Sequence, residues 1–213
     1  MKSNLRRWDG PAAILGGILW LTHFILQTVA PAALKVEPYT VLNQTAEAIY
    51  SGILILSLLL FALGLLGLYA RQTGTTGGAG LVAKLGGAMA ILGGLLIAVG
   101  GPLVAFFNID GTWYMLMGGV IVLFLSMLLL GVSTLSTQVL GRWSFVPLLI
   151  GVFCLAAFLS AFIGLFQLDS LGTWLGVALP TLVGAGWILL GIALILNREP
   201  TVRKVALDSA PAL

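Results

Sequence analysis

The chain has 213 residues, of which 60% are hydrophobic and only 8% are charged, and its formal net charge is +3. A water-soluble globule of this length needs many more charged residues at its surface, so the composition excludes an ordinary soluble domain. The small net charge gives no support to a nucleic-acid partner. Lipid is therefore the predicted solvent for most of the surface.

Long apolar runs separated by short connections predict transmembrane helices. A helix needs about 20 apolar residues to cross roughly 30 Å of hydrocarbon, and it satisfies its own backbone hydrogen bonds there. The predicted spans cover residues 11–31, 48–69, 81–107, 113–136, 143–166 and 174–196. Transmembrane β-strands would alternate in polarity over about ten residues each, whereas these runs are unbroken. The predicted fold is all-α, a polytopic membrane protein whose six transmembrane helices form one compact domain over residues 1–196, followed by an exposed tail over 197–213.

The Lys and Arg residues indicate how the bundle is oriented. Basic residues beside a span are retained on the cytoplasmic side, while acidic residues have little effect. Nine of the ten basic residues fall on one predicted side, namely Lys2, Arg6, Arg7, Arg71, Lys84, Arg142, Arg198, Arg203 and Lys204. Lys35 is the exception. Both termini are predicted to be cytoplasmic, and the small size and short connections favour a bacterial-type plasma membrane.

The tryptophans agree with these boundaries, because indole rings prefer the headgroup level of a bilayer. The residues predicted at the two membrane boundaries are Trp8, Trp143, Trp113 and Trp174. Trp20 and Trp187 lie in the middle of spans, where packing between helices is the expected role.

Parts of the chain resemble one another. Residues 10–19 resemble residues 87–96, and the segment 107–113 reappears, with an insertion of two residues, at 166–174. Spans three to four and five to six are therefore predicted to be two copies of one helical hairpin, with spans one and two as a diverged third. Such parallel repeats would form a pseudo-threefold bundle. The alternative is convergence, because Gly-rich apolar segments resemble one another by composition alone.

Small residues predict where helices approach each other, since close van der Waals contact holds helices together in lipid. Gly86, Ala90, Gly94 and Ala98 recur at every fourth position of the third span. They predict one ridge that faces a neighbouring helix at close range.

A few polar residues form the candidate site, because ionisable groups within a bilayer are costly to bury. The candidates are His23, Gln27, Glu47, Asp110 and Asp169. They would form an outward polar cluster in which His23 or Glu47 accepts a proton, a cation or a ligand hydrogen bond. The alternative is structural: His23 and Gln27 bond to neighbouring helices, and the two aspartates cap helix N-termini.

Catalytic and cofactor signatures are missing from the sequence. One His and one Cys cannot build a usual zinc or haem site, and neither a Walker loop nor a metalloprotease motif is present. Cys154 is expected to be a packing residue within a span. No cofactor, metal site or enzymatic activity is predicted.

The sequence leaves two functions open. The first is a non-catalytic accessory or scaffolding subunit of a membrane assembly, with membrane lipids and other membrane protein subunits as partners. The alternative is a small transporter or a lipid- or small-ligand-binding protein that uses the polar cluster.

Overall fold

The computed structural model is helical throughout the residues that it describes, which are 2–34, 41–73, 80–107, 109, 111–162 and 169–197. Side chains are described for 6–27, 48–73, 80–107, 109, 111–160 and 176–197. The helices are α1 (Lys2–Leu34), α2 (Val41–Gln72), α3 (Leu81–Phe107), α4 (Thr112–Thr137), α5 (Val146–Phe162) and α6 (Asp169–Leu196). A short 3-10 turn, Gly141–Trp143, precedes α5.

Within the described part of the chain, six helices are long and apolar enough to cross a membrane, as the hydropathy pattern predicted, and they suggest a multi-pass membrane protein. The first two helices begin earlier than the predicted spans. Helix α1 starts at Lys2 and α2 at Val41. The difference has a simple cause: apolar character marks the part of a helix that lipid can solvate, whereas backbone hydrogen bonding continues into the polar flanks.

The described helices pack in a closed ring, in which each helix contacts its neighbours along the chain and α6 contacts α1. Each odd-numbered helix packs against two even-numbered helices: α1 against α2 and α6, α3 against α2 and α4, and α5 against α4 and α6. Helix α2 also contacts α4 and α6 directly. Large, fully buried side chains of the even-numbered helices α2, α4 and α6 pack in the core, namely Leu58, Phe61, Leu65, Leu68, Leu123, Met127, Leu130, Trp187 and Leu190.

Pairs of glycines on α3 allow two helices to approach it at once. The pairs are Gly86-Gly87, Gly93-Gly94 and Gly100-Gly101, which recur every seven residues. A Cβ on Gly93 would lie 2.9 Å from the carbonyl oxygen of Gly119 in α4, while one on Gly94 would lie 3.1 Å from Ala62 Cβ in α2. Because seven residues complete about two helical turns, the first glycine of each pair faces α4 and the second faces α2.

The prediction of a single ridge on this helix was wrong. Gly86 faces Leu130 of α4, Gly94 faces α2, and Ala98 is exposed. A spacing of four residues drifts by about 40° per step around a helix, so residues on it cannot all face one partner over three turns. Glycines spaced seven residues apart drift less around the helix, and they make the contacts with α4 and α2.

Helices α1 and α6 also meet through glycines seven residues apart. A Cβ on Gly191 would lie 2.7 Å from the carbonyl oxygen of Gly10, and one on Gly17 would lie 2.7 Å from that of Gly184. The two backbones are therefore in contact at four glycines, and close contact at small residues is a typical way for helices to associate in lipid.

The aromatic side chains divide as predicted between the ends and the interior. Trp8 and Trp113 are exposed near opposite ends of the bundle, and Trp143 is half-buried. Trp20 and Trp187 are buried, so the prediction that they pack between helices is confirmed. The side chain of Trp174 lies outside the described residues.

Two neighbouring glycines of α4 provide a matched test of this packing. A Cβ on Gly119 would meet Leu96 Cβ at 3.0 Å and Ile97 Cγ1 at 2.9 Å, whereas a Cβ on Gly118 would meet nothing within 4 Å. We expect Gly119→Ala to lower the free energy of unfolding by about 1–3 kcal/mol through overpacking. Gly118→Ala should leave it unchanged or raise it by up to about 1 kcal/mol, because alanine favours the helix. Unfolding by SDS in mixed micelles, followed by tryptophan fluorescence, measures both, and equal effects would contradict the packing described.

Candidate functional site

His23 is buried within α1, at 4% exposure, and links that helix to α2. Its Nδ1 lies 3.0 Å from the backbone carbonyl oxygen of Tyr50. Because a carbonyl oxygen can only accept, Nδ1 carries the hydrogen and donates it. The ring also meets Phe24 edge-on, with 5.5 Å between centroids. This geometry agrees with the structural alternative for His23, a hydrogen bond to a neighbouring helix.

Most of the polar cluster predicted around His23 lies outside the described side chains. Gln27, one turn further along α1, is exposed, whereas His23 is buried. Glu47 lies on α2 and Asp169 is the first residue of α6, but both side chains fall outside the described residues, as does the whole of Asp110. The outward polar cluster stays a prediction.

The start of α4 bears on the predicted capping role of Asp110. The N-cap position is held by Gly111, in the left-handed region with φ 82°. Thr112 Oγ1 donates a hydrogen bond to the carbonyl oxygen of Ile109 at 2.6 Å. Asp110 itself lies outside the described residues, and its capping role stays a prediction.

An aromatic cluster fills the space between α1, α2 and α6. The rings of Phe61 and Trp187 are stacked, with centroids 4.0 Å apart and 7° between planes. Trp20 packs against Phe61 at 5.8 Å, and its Nε1 donates a hydrogen bond to the carbonyl oxygen of Pro180 at 3.0 Å. The interior beside His23 is thus occupied by large rings from three helices.

The strongest electrostatic contact lies at the basic end of the bundle, where α1 begins and α2 and α6 end. Arg71 and Asp9 form an ion pair with two hydrogen bonds, from Nε to Oδ2 at 2.6 Å and from Nη2 to Oδ1 at 3.1 Å. The side chains are 9% and 0% exposed, respectively. Paired, charge-assisted bonds of this kind are shorter and stronger than neutral ones.

The same guanidinium binds the C-terminal end of α6. Arg71 Nη2 donates to the carbonyl oxygen of Leu194 at 2.7 Å, and Nη1 donates to that of Asn197 at 3.2 Å. The last carbonyls of a helix have no partner within the helix and carry a partial negative charge, so a cation stabilises them. One side chain therefore joins three helices.

Glycine provides the space for this ion pair. A Cβ on Gly67, one turn before Arg71 on α2, would overlap the side chain of Asp9. Asp9 Oδ1 also accepts a hydrogen bond from the backbone N–H of Gly10 at 2.6 Å. The carboxylate is held tightly against α2.

Other buried polar side chains also donate to backbone carbonyls of a neighbouring helix. The bonds run from Ser57 Oγ to the Gly16 oxygen at 2.9 Å, from Ser126 Oγ to the Gly86 oxygen at 2.7 Å and from Gln72 Nε2 to the Leu130 oxygen at 3.1 Å. Gln72 Nε2 reaches Thr134 Oγ1 as well, at 2.7 Å. These bonds join α1 to α2, α3 to α4 and α2 to α4.

The sequence did not identify Asp9 as a site residue, because the charged flanks were interpreted only as topology signals. The usable signal was an acidic residue two positions after the basic segment Lys2 to Arg7, at the edge of an apolar run. A carboxylate in that position needs a partner when the helix is packed. Which cation serves as the partner depends on how the helices are arranged.

Within the described residues, no group of three or more His, Cys, Asp and Glu side chains could hold a metal ion. Cys154 is a buried free cysteine, which agrees with a packing role. Comparison with protein-family models, with curated proteins and with solved structures gave no match. Function therefore has to be argued from the geometry alone.

The ion pair can be tested with two substitutions that each remove one cation from the basic end. Arg71→Gln removes the guanidinium that bonds to the buried Asp9 carboxylate and to the end of α6, and we expect the free energy of unfolding to fall by about 3 kcal/mol. Lys84→Gln removes an exposed charge and should change it by less than about 0.5 kcal/mol. Unfolding by SDS in mixed micelles measures both. Similar small effects would mean that the pair does not hold α1, α2 and α6 together.

Proposed function

We propose that the protein is a non-catalytic integral membrane protein that serves as an accessory or scaffolding subunit of a membrane assembly. The proposal depends on one observation, which is that buried polar side chains bond to the backbone of neighbouring helices. Those of Ser57, Ser126, Gln72 and His23 bond to backbone carbonyls of adjacent helices. Their hydrogen-bonding capacity stabilises the bundle, as expected of a protein whose role is to present helix surfaces.

The packed interior supports the same function. Stacked rings of Phe61 and Trp187, with Trp20 beside them, occupy the space between three helices. Close glycine contacts join α1 to α6 and α3 to α4. A rigid bundle of this kind suits a subunit that holds partners in place.

The membrane placement is part of the proposal: a bacterial-type plasma membrane, with both termini in the cytoplasm. Arg6, Arg71, Lys84 and Arg142 lie at the start of α1, the end of α2, the start of α3 and the turn before α5. In an antiparallel bundle these four positions share one end. A basic end of this kind is retained in the cytoplasm.

The hairpin repeats also belong to the proposal, and the glycine contacts support them. Gly16 and Gly93, which align in the repeated segments, each face the second helix of their own hairpin, α2 and α4. Gly17 and Gly94 each face the even-numbered helix of another hairpin, α6 and α2. Equivalent contacts of aligned glycines favour duplication over chance similarity in composition.

The orientation can be tested with two cysteines that flank the same helix. In a Cys154→Ala background, Gly80→Cys and Ile109→Cys place single thiols at exposed positions before and after α3. We expect a membrane-impermeant maleimide applied to intact cells to label the Ile109 variant only. Both variants should react after the cells are lysed. Labelling of the Gly80 variant in intact cells would contradict the proposed orientation.

The subunit role is tested by isolating the full chain from its native membrane in a mild detergent. We expect it to elute with another membrane protein at a fixed stoichiometry, as measured by mass spectrometry and light scattering. The variant His23→Phe should retain the same partner, because the subunit role does not use a titratable imidazole.

The buried imidazole of His23 favours one other function, that of a small transporter or ligand-binding protein. Under that function the chain would elute without a stoichiometric partner. His23→Phe would then reproduce the phenotype of deleting the gene while leaving the protein folded and abundant. This pair of results would reject the subunit role.

A further inference from the structure

The turn between α4 and α5 holds a cation above an aromatic ring at the basic end of the bundle. Arg142 is exposed, and its Cζ lies 5.5 Å from the centroid of the Trp143 ring. Trp143 is itself half-buried against the core. Contact with the ring limits the positions of the guanidinium while its N–H donors remain accessible.

An apolar stripe continues from this turn along the outside of α5. Phe145, Leu149, Val152 and Leu159 are all exposed, at spacings of four, three and seven residues. These spacings keep the side chains on one face of a helix. In chain order, this part of the protein thus offers an exposed cation, a half-buried indole ring and an exposed strip of hydrocarbon.

The order of these groups matches the order of groups in a phospholipid. A phosphate would meet Arg142, the glycerol and ester region would meet Trp143, and an acyl chain would lie along α5. Indole rings prefer this intermediate level of the bilayer. A guanidinium binds phosphate oxygens with paired hydrogen bonds.

The charge of the basic end favours an anionic lipid over a zwitterionic one. Arg6 and Lys84 are exposed at the same end as Arg142. Asp9 is the only carboxylate among the side chains that the structure describes, and it is bonded to the buried Arg71. It therefore leaves the positive potential of the exposed cations largely intact, and such a potential attracts anionic headgroups.

The opposite end serves as an internal comparison. Trp113 and Tyr114 are exposed at the start of α4 and supply aromatic rings at headgroup level. The described residues of that end, around Phe107 and Gly111, include no Lys or Arg. Within the described residues, exposed aromatic rings thus occur at both ends, whereas a cation beside an aromatic ring occurs only at the basic end.

We propose that the basic end is a binding surface for anionic phospholipids, and that Arg142 and Trp143 form its principal contact with a headgroup phosphate. The inference depends on membrane embedding and not on the subunit role. Inorganic phosphate shares the headgroup chemistry but lacks acyl chains to lie on α5. It should therefore bind much more weakly than the lipid.

The test uses the purified full chain in a mild non-ionic detergent. Native mass spectrometry counts bound lipid as dioleoylphosphatidylglycerol or dioleoylphosphatidylcholine is added. We expect preferential binding of the phosphatidylglycerol. Arg142→Gln should weaken that binding about five-fold, which is the effect of one cation at a membrane surface.

Lys35→Gln is the control for the loss of one positive charge, because the predicted topology puts Lys35 on the opposite side of the membrane from Arg142. It should leave phosphatidylglycerol binding unchanged. Inorganic phosphate at millimolar concentration should not displace the lipid. Equal binding of the two lipids by the wild-type chain would overturn the proposal without any variant. Equal effects of the Arg142 and Lys35 substitutions, or displacement by inorganic phosphate, would overturn it as well.

Discussion

Close backbone contact between helices is the constraint on which the rest of this structure depends. In lipid the surroundings are as apolar as the helix surfaces, so burial of leucine and valine gives little drive for association. Helices must instead approach closely enough for dispersion contacts and interhelical hydrogen bonds to accumulate. The glycine pairs of α3 and the four glycines between α1 and α6 make this approach possible. They also explain why Ser57 and Ser126, with short side chains, reach the carbonyls of an adjacent helix.

The ion pair between Asp9 and Arg71 adds to this packing at the one place among the described side chains where oppositely charged groups are buried together. Removing two charges from water is costly, and the attraction within the pair recovers that cost only with additional hydrogen bonds. Here Arg71 also binds the carbonyl oxygens of Leu194 and Asn197. The favourable contacts of one guanidinium are thus shared by α1, α2 and α6. As a result, α1 and α6 are held to each other and to α2.

The two ends of the bundle differ in what they present to a bilayer. Both carry exposed aromatic rings, but Arg6, Lys84 and Arg142 lie at one end. The distribution of basic residues from which we propose the orientation also leaves a positive surface at one end of the protein. A topological signal and a lipid-binding surface can share the same residues, because both arise from electrostatic attraction between basic side chains and an anionic leaflet.

The amino-acid sequence alone determined the number of helices and their approximate limits, because hydrophobic length is a local property that lipid selects directly. It also predicted that Trp20 and Trp187 pack inside the bundle. The partner of Asp9 could not be predicted, since Arg71 is 62 residues away along the chain and meets it only when α1 lies against α2. The contacts of Gly93 and Gly94 were likewise decided by the tertiary structure. The sequence shows that a helix carries small residues, but only the arrangement of the neighbouring helices decides which helix contacts them.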